Sequence, residues 1–249
     1  MLYKEAMSKK TAISNVGENI KVGNTNWSFK GSVSETFSSH IRKSVPLYDE
    51  GHDIICKISD YFIKNDSICY DIGTSVGELL LKLSKHHVHK ESVKWIGIDC
   101  EEDMIKKAHK DGKKYNNISF EVADIINYDF EKSDLIISYY TIQFIPPKFR
   151  QLLINKIYES LNWGGAFLYF EKVRAPDARF QDMMTTLYND YKLDQNYNPA
   201  EIIAKTRSLK GVLEPFSTQG NIDLLKRAEF KDIMSVMKYV CFEGFLAIK

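Results

Sequence analysis

The chain has 249 residues with 34 Lys+Arg against 33 Asp+Glu, a formal charge of +1, and 44% hydrophobic residues. That is the composition of one soluble globular domain; it excludes collagen-like and coiled-coil chains and a molecule-wide electrostatic trap for nucleic acid. No apolar run reaches the roughly 18 residues of a membrane span, no signal-peptide core opens the chain, and Cys56, Cys69, Cys100 and Cys241 form no C-x-x-C pair, so a reduced, cytoplasmic protein without a structural zinc or disulfide framework is expected.

Residues 1–44 read as an N-terminal extension with little periodicity, and its seven Lys/Arg against three acids through Lys43 suit a solvated arm better than a nucleic-acid arm. Ile54, Ile55, Ile58, Tyr61, Phe62 and Ile63 then predict a helix over Pro46 to Lys64. From Ser67 the pattern alternates. Short apolar runs at Ile68–Tyr70, Val93–Ile98, Ile118–Val122, Leu135–Ser138 and Ala166–Phe170 are separated by helical stretches at Glu78–Leu83, Glu102–Lys110 and Lys148–Leu161. Strand–helix units repeated in this way imply a parallel sheet with helices on both faces. Residues 173–219 interrupt the rhythm with two helical stretches, Asp177–Leu193 and Pro199–Ser208, which read as an inserted helical cap. A helix over Asn221–Ala228 and two strands, Phe230–Val240 and Phe242–Ile248, close the chain as a hairpin expected at the sheet edge.

Ligands of open parallel sheets sit beyond the carboxyl ends of the strands, so the residues there carry the chemistry. The first strand runs into Asp71-Ile72-Gly73-Thr74-Ser75-Val76-Gly77. Gly73 permits a tight turn and close backbone approach, and Gly77 allows the next helix to pack near the strand. The spacing is G-x-S-x-G, not the dinucleotide G-x-G-x-x-G, and the leading acid would repel a pyrophosphate but can hold an ammonium group. A plain structural turn is the alternative. Asp99, 28 residues later, closes the second strand, where a carboxylate can accept two ribose hydroxyls or simply cap the following helix. Asp124-Ile125 closes the third, where an acid can accept from an adenine amino group and an apolar side chain can cover the ring. Together these describe a site for S-adenosylmethionine, an adenosine nucleoside carrying an amino acid and no phosphates.

With those residues in place, the chain resembles the class I S-adenosylmethionine-dependent methyltransferase superfamily over residues 66–249, and more specifically the carboxy-S-adenosylmethionine synthase branch from Trp27 onward. The resemblance is carried by Ile41-Arg42-Lys43-Ser44-Val45-Pro46-Leu47-Tyr48, the D-x-G-x-S-x-G loop, Ile96-Gly97-Ile98-Asp99, Thr141-Ile142-Gln143-Phe144-Ile145, the stretch from Lys156 to Ala166, and Glu171-Lys172. It implies a Rossmann-like, mainly parallel seven-stranded sheet over 45–249. It further implies that Gly73, Thr74, Ser75, Asp99, Cys100, Asp124 and Ile125 line the nucleoside site, with Tyr48 near the sulfonium. Arg207 matches an arginine that, in the synthase branch, pairs with the added carboxylate from a neighbouring subunit, so a homodimer is expected. Tyr139 and Cys100 stand where the branch has asparagine, which changes the transferring-group end of the pocket.

Three activities follow as expectations: methyl transfer to a small-molecule acceptor; carboxy-S-adenosylmethionine synthesis, in which the carboxyl released from prephenate is added to the cofactor's methyl carbon; and a non-catalytic cofactor-binding interaction protein. Tyr139, Tyr140, His40 and Glu171 are candidate bases, with Tyr139, Arg207 and Tyr48 the candidate catalytic residues. His86, His87 and His89, with no ligand-spaced partner in the sequence, read as a solvated helix end rather than a metal site. Met183 and Met184, with Leu187 and Tyr191, can line an acceptor pocket or a dimer contact, with plain core packing the simpler reading.

Overall fold

A computed structural model describes residues 14–15, 21–22, 25, 27–29 and 33–249. The basic residues Lys4, Lys9, Lys10 and Lys30 of the expected arm lie outside the described residues. A two-residue antiparallel pair, β1 (Ser14–Asn15) and β2 (Lys21–Val22), is followed by helices α1 (Val33–Ser44) and α2 (Tyr48–Ser59). The alternating part then runs β3 (Ile68–Ile72), α3 (Glu78–His86), β4 (Lys94–Asp99), α4 (Glu102–Gly112), β5 (Ile118–Val122), β6 (Ser133–Tyr139), α5 (Pro147–Ser160) and β7 (Leu161–Lys172). The cap consists of α6 (Ala178–Asp194) and α7 (Pro199–Ser208), and α8 (Thr218–Arg227), β8 (Asp232–Tyr239) and β9 (Phe242–Ile248) complete the fold.

The seven-stranded sheet has the order β5-β4-β3-β6-β7-β9-β8. β5 to β7 are parallel, and β9 is antiparallel to both of its neighbours. The closing hairpin lies at the sheet edge as expected, with β8 outermost. The reversed strand β9 inserts between β7 and β8, which fits its sequence: Phe242, Phe245 and Ala247 are buried, whereas β8 is exposed at Asp232, Ser235 and Tyr239. Alternate residues of each strand feed two cores. Leu135 and Ile137 join Leu80, Leu83 and Trp95 on one face; Ile136 joins Ile154, Ile157 and Phe167 on the other. Both faces are covered, so the strands read as nearly continuous apolar runs.

Two expectations for the first sixty residues change. Leu47 adopts a left-handed conformation (φ 56°), so the second helix begins at Tyr48 rather than Pro46. Residues 33–44, read as part of a solvated extension, form α1, with Val33, His40 and Ser44 buried. Its serines favour local hydrogen bonds over helix and obscure the Val33-Phe37-Ile41 stripe. Tertiary contacts hold it: the Tyr188 and Tyr191 hydroxyls donate to the carbonyls of Ser44 (2.7 Å) and Arg42 (3.1 Å), two acceptors that a helix end leaves open.

The strand order reverses between β3 and β6, because the chain moves outward through β4 and β5 before returning to the other side of β3. Over the carboxyl ends of these strands, closed by α1, α2 and the cap, lies a cavity of about 590 Å³, within the size range of small-molecule sites.

Candidate nucleoside site

The loop after β3 is pulled onto the end of β4. The amides of Gly73 and Thr74 both donate to the Ile98 carbonyl (2.7 and 2.9 Å), and the Ser75 amide donates to Asp99 Oδ2 (2.9 Å). Gly73 has φ +73° and lines the cavity; Gly77 has φ +80° but does not, and its α-carbon faces the Phe120 ring instead. Of the two glycines, only Gly73 belongs to the cavity surface; Gly77 sets the packing of the next helix.

Asp71, Asp99 and Asp124 all reach the cavity, from three adjacent strands. Asp71 is 2% exposed, and its Oδ2 accepts from the Thr74 hydroxyl at 2.7 Å. Burial pushes its carboxyl up to about 7, the Thr74 bond partly opposes this, and the Asp99 charge adds to it. No cation within ion-pair distance is present among the described residues. Asp99 is likewise pushed up by burial and drawn back by the amides of Glu101, Ser75 and Cys100. Those amides hold the carboxylate rigidly and leave further lone pairs for hydroxyl donors. Asp124 is exposed; its Oδ1 accepts from the Ile126 amide and its Oδ2 from the Asn127 side chain, both at 3.0 Å. It both shapes its turn and borders the cavity, next to buried Ile125 and exposed Cys100.

Tyr48, Tyr139 and His52 form an aromatic wall. The Tyr139 hydroxyl donates to the Tyr48 carbonyl (2.7 Å), and the His52 ring packs 4.6 Å from Tyr48 and 4.8 Å from Tyr139. Gly51 makes room: a β-carbon there would stand 2.1 Å from the Tyr139 hydroxyl. Arg42 steadies the same corner, pairing with Asp49 (2.8 Å) and Glu78 (3.2 Å) beside the Tyr48 ring. His52 escaped sequence reasoning although it lies one helical turn after Tyr48, the spacing that puts two side chains on one face.

The candidate bases separate by environment. Burial holds the Tyr139 hydroxyl well above its ordinary range, and its proton is committed to a backbone carbonyl, so Tyr139 walls the pocket. Tyr140 also lines the cavity, with its hydroxyl raised by burial. His40 is lowered to about 3 by burial and then by Lys205, whose ammonium donates to its Nε2 at 2.8 Å. Glu171 is buried behind the cavity and accepts backbone amides of Ile142 and Gln143. Arg207 stands on the exposed side of α7, outside the cavity of its own chain.

Two minor expectations change. His87 is not part of a solvated helix end: it is buried against Trp95, and its Nε2 lies 2.7 Å from the Ser59 hydroxyl. The fold also brings Asp60 to His86 (2.9 Å) and His87 (3.9 Å), a carboxylate neighbour that linear spacing did not show. Met183 and Leu187 are exposed rather than packed in the core.

The chain is similar to known proteins over most of its length. Residues 69–165 match the methyltransferase domain family. A carboxy-S-adenosyl-L-methionine synthase of Staphylococcus epidermidis is 35% identical over 224 residues, covering 90% of this chain and 97% of that protein. That of Nautilia profundicola is 36% identical over 222 residues, covering 89% and 94%. Among solved structures, a putative O-methyltransferase from Nostoc punctiforme superposes with a TM-score of 0.61 at 13% identity, over 100% of this chain and 67% of that one. Human N-acetylserotonin methyltransferase, solved with S-adenosylmethionine, gives 0.55 at 17% identity over 88% of this chain, which spans 54% of the human protein. The distant structures share the fold, and the near relatives match almost end to end: the chain belongs to the carboxy-S-adenosyl-L-methionine synthase family.

Proposed function

We propose that this protein binds S-adenosylmethionine and acts as a carboxy-S-adenosylmethionine synthase with prephenate as the carboxyl donor. The observation that carries the reading is the convergence of Asp71, Asp99 and Asp124 with Tyr48 on one cavity, in a chain aligned over its length with synthases. Bound there, the cofactor supplies an activated carbon on a sulfonium. Asp71 holds its ammonium, Asp99 its ribose hydroxyls, and Asp124 with Ile125 its adenine; Gly73, Thr74, Ser75, Gly77 and Cys100 shape the loops between them. Tyr48 and Tyr139 wall the sulfonium end. What remains for the protein is to hold the second reactant against that carbon and keep water out, an arrangement worth up to about 7–11 kcal/mol of barrier when alignment is good.

Tyr139 and Cys100, standing for asparagines, favour a second reading, methyl transfer to a small-molecule acceptor. Mass spectrometry after incubation with S-adenosylmethionine and prephenate separates the two. The synthase converts the cofactor to a product heavier by one carbon dioxide; release of S-adenosylhomocysteine from a metabolite pool, without that product, establishes methyl transfer instead.

The Asp71 carboxyl gives a pH dependence with a definite sign. An acid raised to about 7 is neutral below that pH and must lose its proton to pair with an ammonium. Affinity for S-adenosylmethionine is expected to be about tenfold weaker at pH 6 than at pH 8, and Asp71→Asn should remove the dependence. A wild-type affinity flat across this range places the ammonium elsewhere.

The expected homodimer has support in the cap: Phe180, Met183 and Leu187, exposed at 51, 49 and 55%, make one apolar stripe on α6, and Arg207 on α7 is exposed too. Arg207 would then enter the partner's cavity. A cytoplasmic location accords with four unpaired cysteines, and no described helix is long and apolar enough to cross a membrane.

A further inference from the structure

The cavity is electrically divided. Asp71, Asp99 and Asp124 come from the ends of β3, β4 and β5, on one side of the point where the strand order reverses. On the other side, β7, the loop after it and the cap present Lys172, Arg174, Lys192 and Lys210. Arg174 has a carboxylate, Glu214 at 3.5 Å. Lys172 and Lys192 have none: among the described residues neither ammonium has an ion-pair partner or a hydrogen-bond acceptor. Both ammoniums lie over the Tyr188 ring, 4.2 Å from Lys172 Nζ and 4.5 Å from Lys192 Nζ, with the Phe242 ring 5.9 Å from Lys172 and the Cys241 thiol near both. Lys192 is 4% exposed. Two like charges over one ring, Lys192 buried and Lys172 partly buried, with no counter-ion, destabilise the fold unless an anion joins them.

Both depart from ordinary lysine in the direction this predicts. Burial first, and then the nearby Lys172, lower Lys192 to about 8, with Cys241 opposing. Lys172 is lowered by burial first, and then by Lys210 and Arg174, with Cys241 opposing.

We propose that Lys172, Lys192 and Tyr188 form an anion subsite that binds a carboxylate of the co-substrate, holding it in the cap half of the cavity while the acidic half holds the cationic nucleoside. The site suits a small carboxylate with an apolar ring, because Tyr140, Met184 and Phe242 line the cavity with it. Only the identity of the co-substrate rests on the synthase reading; the subsite itself rests on the lysines. Cofactor and co-substrate thus recognise opposite poles, which keeps either from occupying the other's half.

The test titrates prephenate, and separately phenylacetate, into the full-length protein saturated with S-adenosylhomocysteine, which lacks the reactive carbon. Lys172→Met and Lys192→Met are each expected to weaken binding of the carboxylate by about tenfold or more, with S-adenosylhomocysteine affinity unchanged within about twofold, and Lys192→Arg should restore part of the loss. Wild type that binds neither carboxylate overturns the subsite, as do methionine variants that bind both as wild type does. Lysine-dependent binding of phenylacetate without any binding of prephenate supports the subsite and overturns prephenate as the donor; carboxylated product formed with a lysine-independent KM for prephenate does the reverse. If a variant no longer holds S-adenosylhomocysteine, wild type decides: the bound carboxylate must shield Lys172 and Lys192 from reductive methylation, and unshielded amines overturn the assignment.

Discussion

Asp99→Ala is expected to weaken S-adenosylmethionine binding by at least about a hundredfold in isothermal titration. Each hydrogen bond from a ribose hydroxyl to a charged carboxylate contributes about 1.5–3 kcal/mol, and every 1.4 kcal/mol is about tenfold in affinity. The loss has a second component. Asp99 Oδ2 accepts from the Ser75 amide and Oδ1 from the Glu101 amide, each at 2.9 Å. Alanine therefore also releases the loop carrying Thr74 and Ser75 and the turn carrying Cys100. Asp99→Asn separates the two effects: its carboxamide oxygen keeps one loop contact but offers no charge, so it should fall between wild type and alanine. Affinity within about threefold of wild type for the alanine variant, with thermal unfolding little changed, would move the ribose away from β4.

The sheet was legible because its central strands β3, β4, β6 and β7 are buried on both faces and so appear as apolar runs, with acids closing β3 and β4. The three aspartates could be assigned to one site for the same reason: strand ends in a parallel sheet converge at a known edge. What was not legible depended on contacts between distant segments. Helix α1 is held by hydroxyls from Tyr188 and Tyr191, more than a hundred residues away, and nothing in its own serine-rich stretch announces them. The exchange of asparagine for Tyr139 was visible, but its accommodation was not, since the space comes from Gly51 on another element. The lysine pair was hidden for a related reason. In the sequence Lys172 stands out only as part of a shared segment and Lys192 does not stand out, because a lysine's partner, or the lack of one, is a property of the folded neighbourhood.

The contrast between the two loop glycines yields the other large effect. Gly73→Ala is expected to reduce cofactor affinity by more than about a hundredfold, whereas Gly77→Ala should act chiefly on stability. At Gly73 a β-carbon would lie 2.1 Å from Thr141 Oγ1, 2.3 Å from Cγ2 and 2.7 Å from Cβ. Rotating Thr141 moves the first two atoms but not the third, so the loop itself must shift, in addition to the roughly 1–2 kcal/mol of holding a non-glycine residue in the left-handed region. That shift carries the amides of Gly73 and Thr74 off the Ile98 carbonyl and Ser75 off Asp99, at the surface where the cofactor's amino-acid portion would rest. At Gly77 the obstacle is the Phe120 ring at 2.7 Å, in the helix–sheet packing and outside the cavity. Its alanine variant should lower the melting temperature, in keeping with about 1–3 kcal/mol for overpacking, yet bind S-adenosylmethionine nearly as wild type below that temperature. Titration and thermal unfolding of the two variants side by side resolve the assignment. If Gly73→Ala keeps its affinity while Gly77→Ala loses it, the cavity face of this loop has been assigned to the wrong glycine.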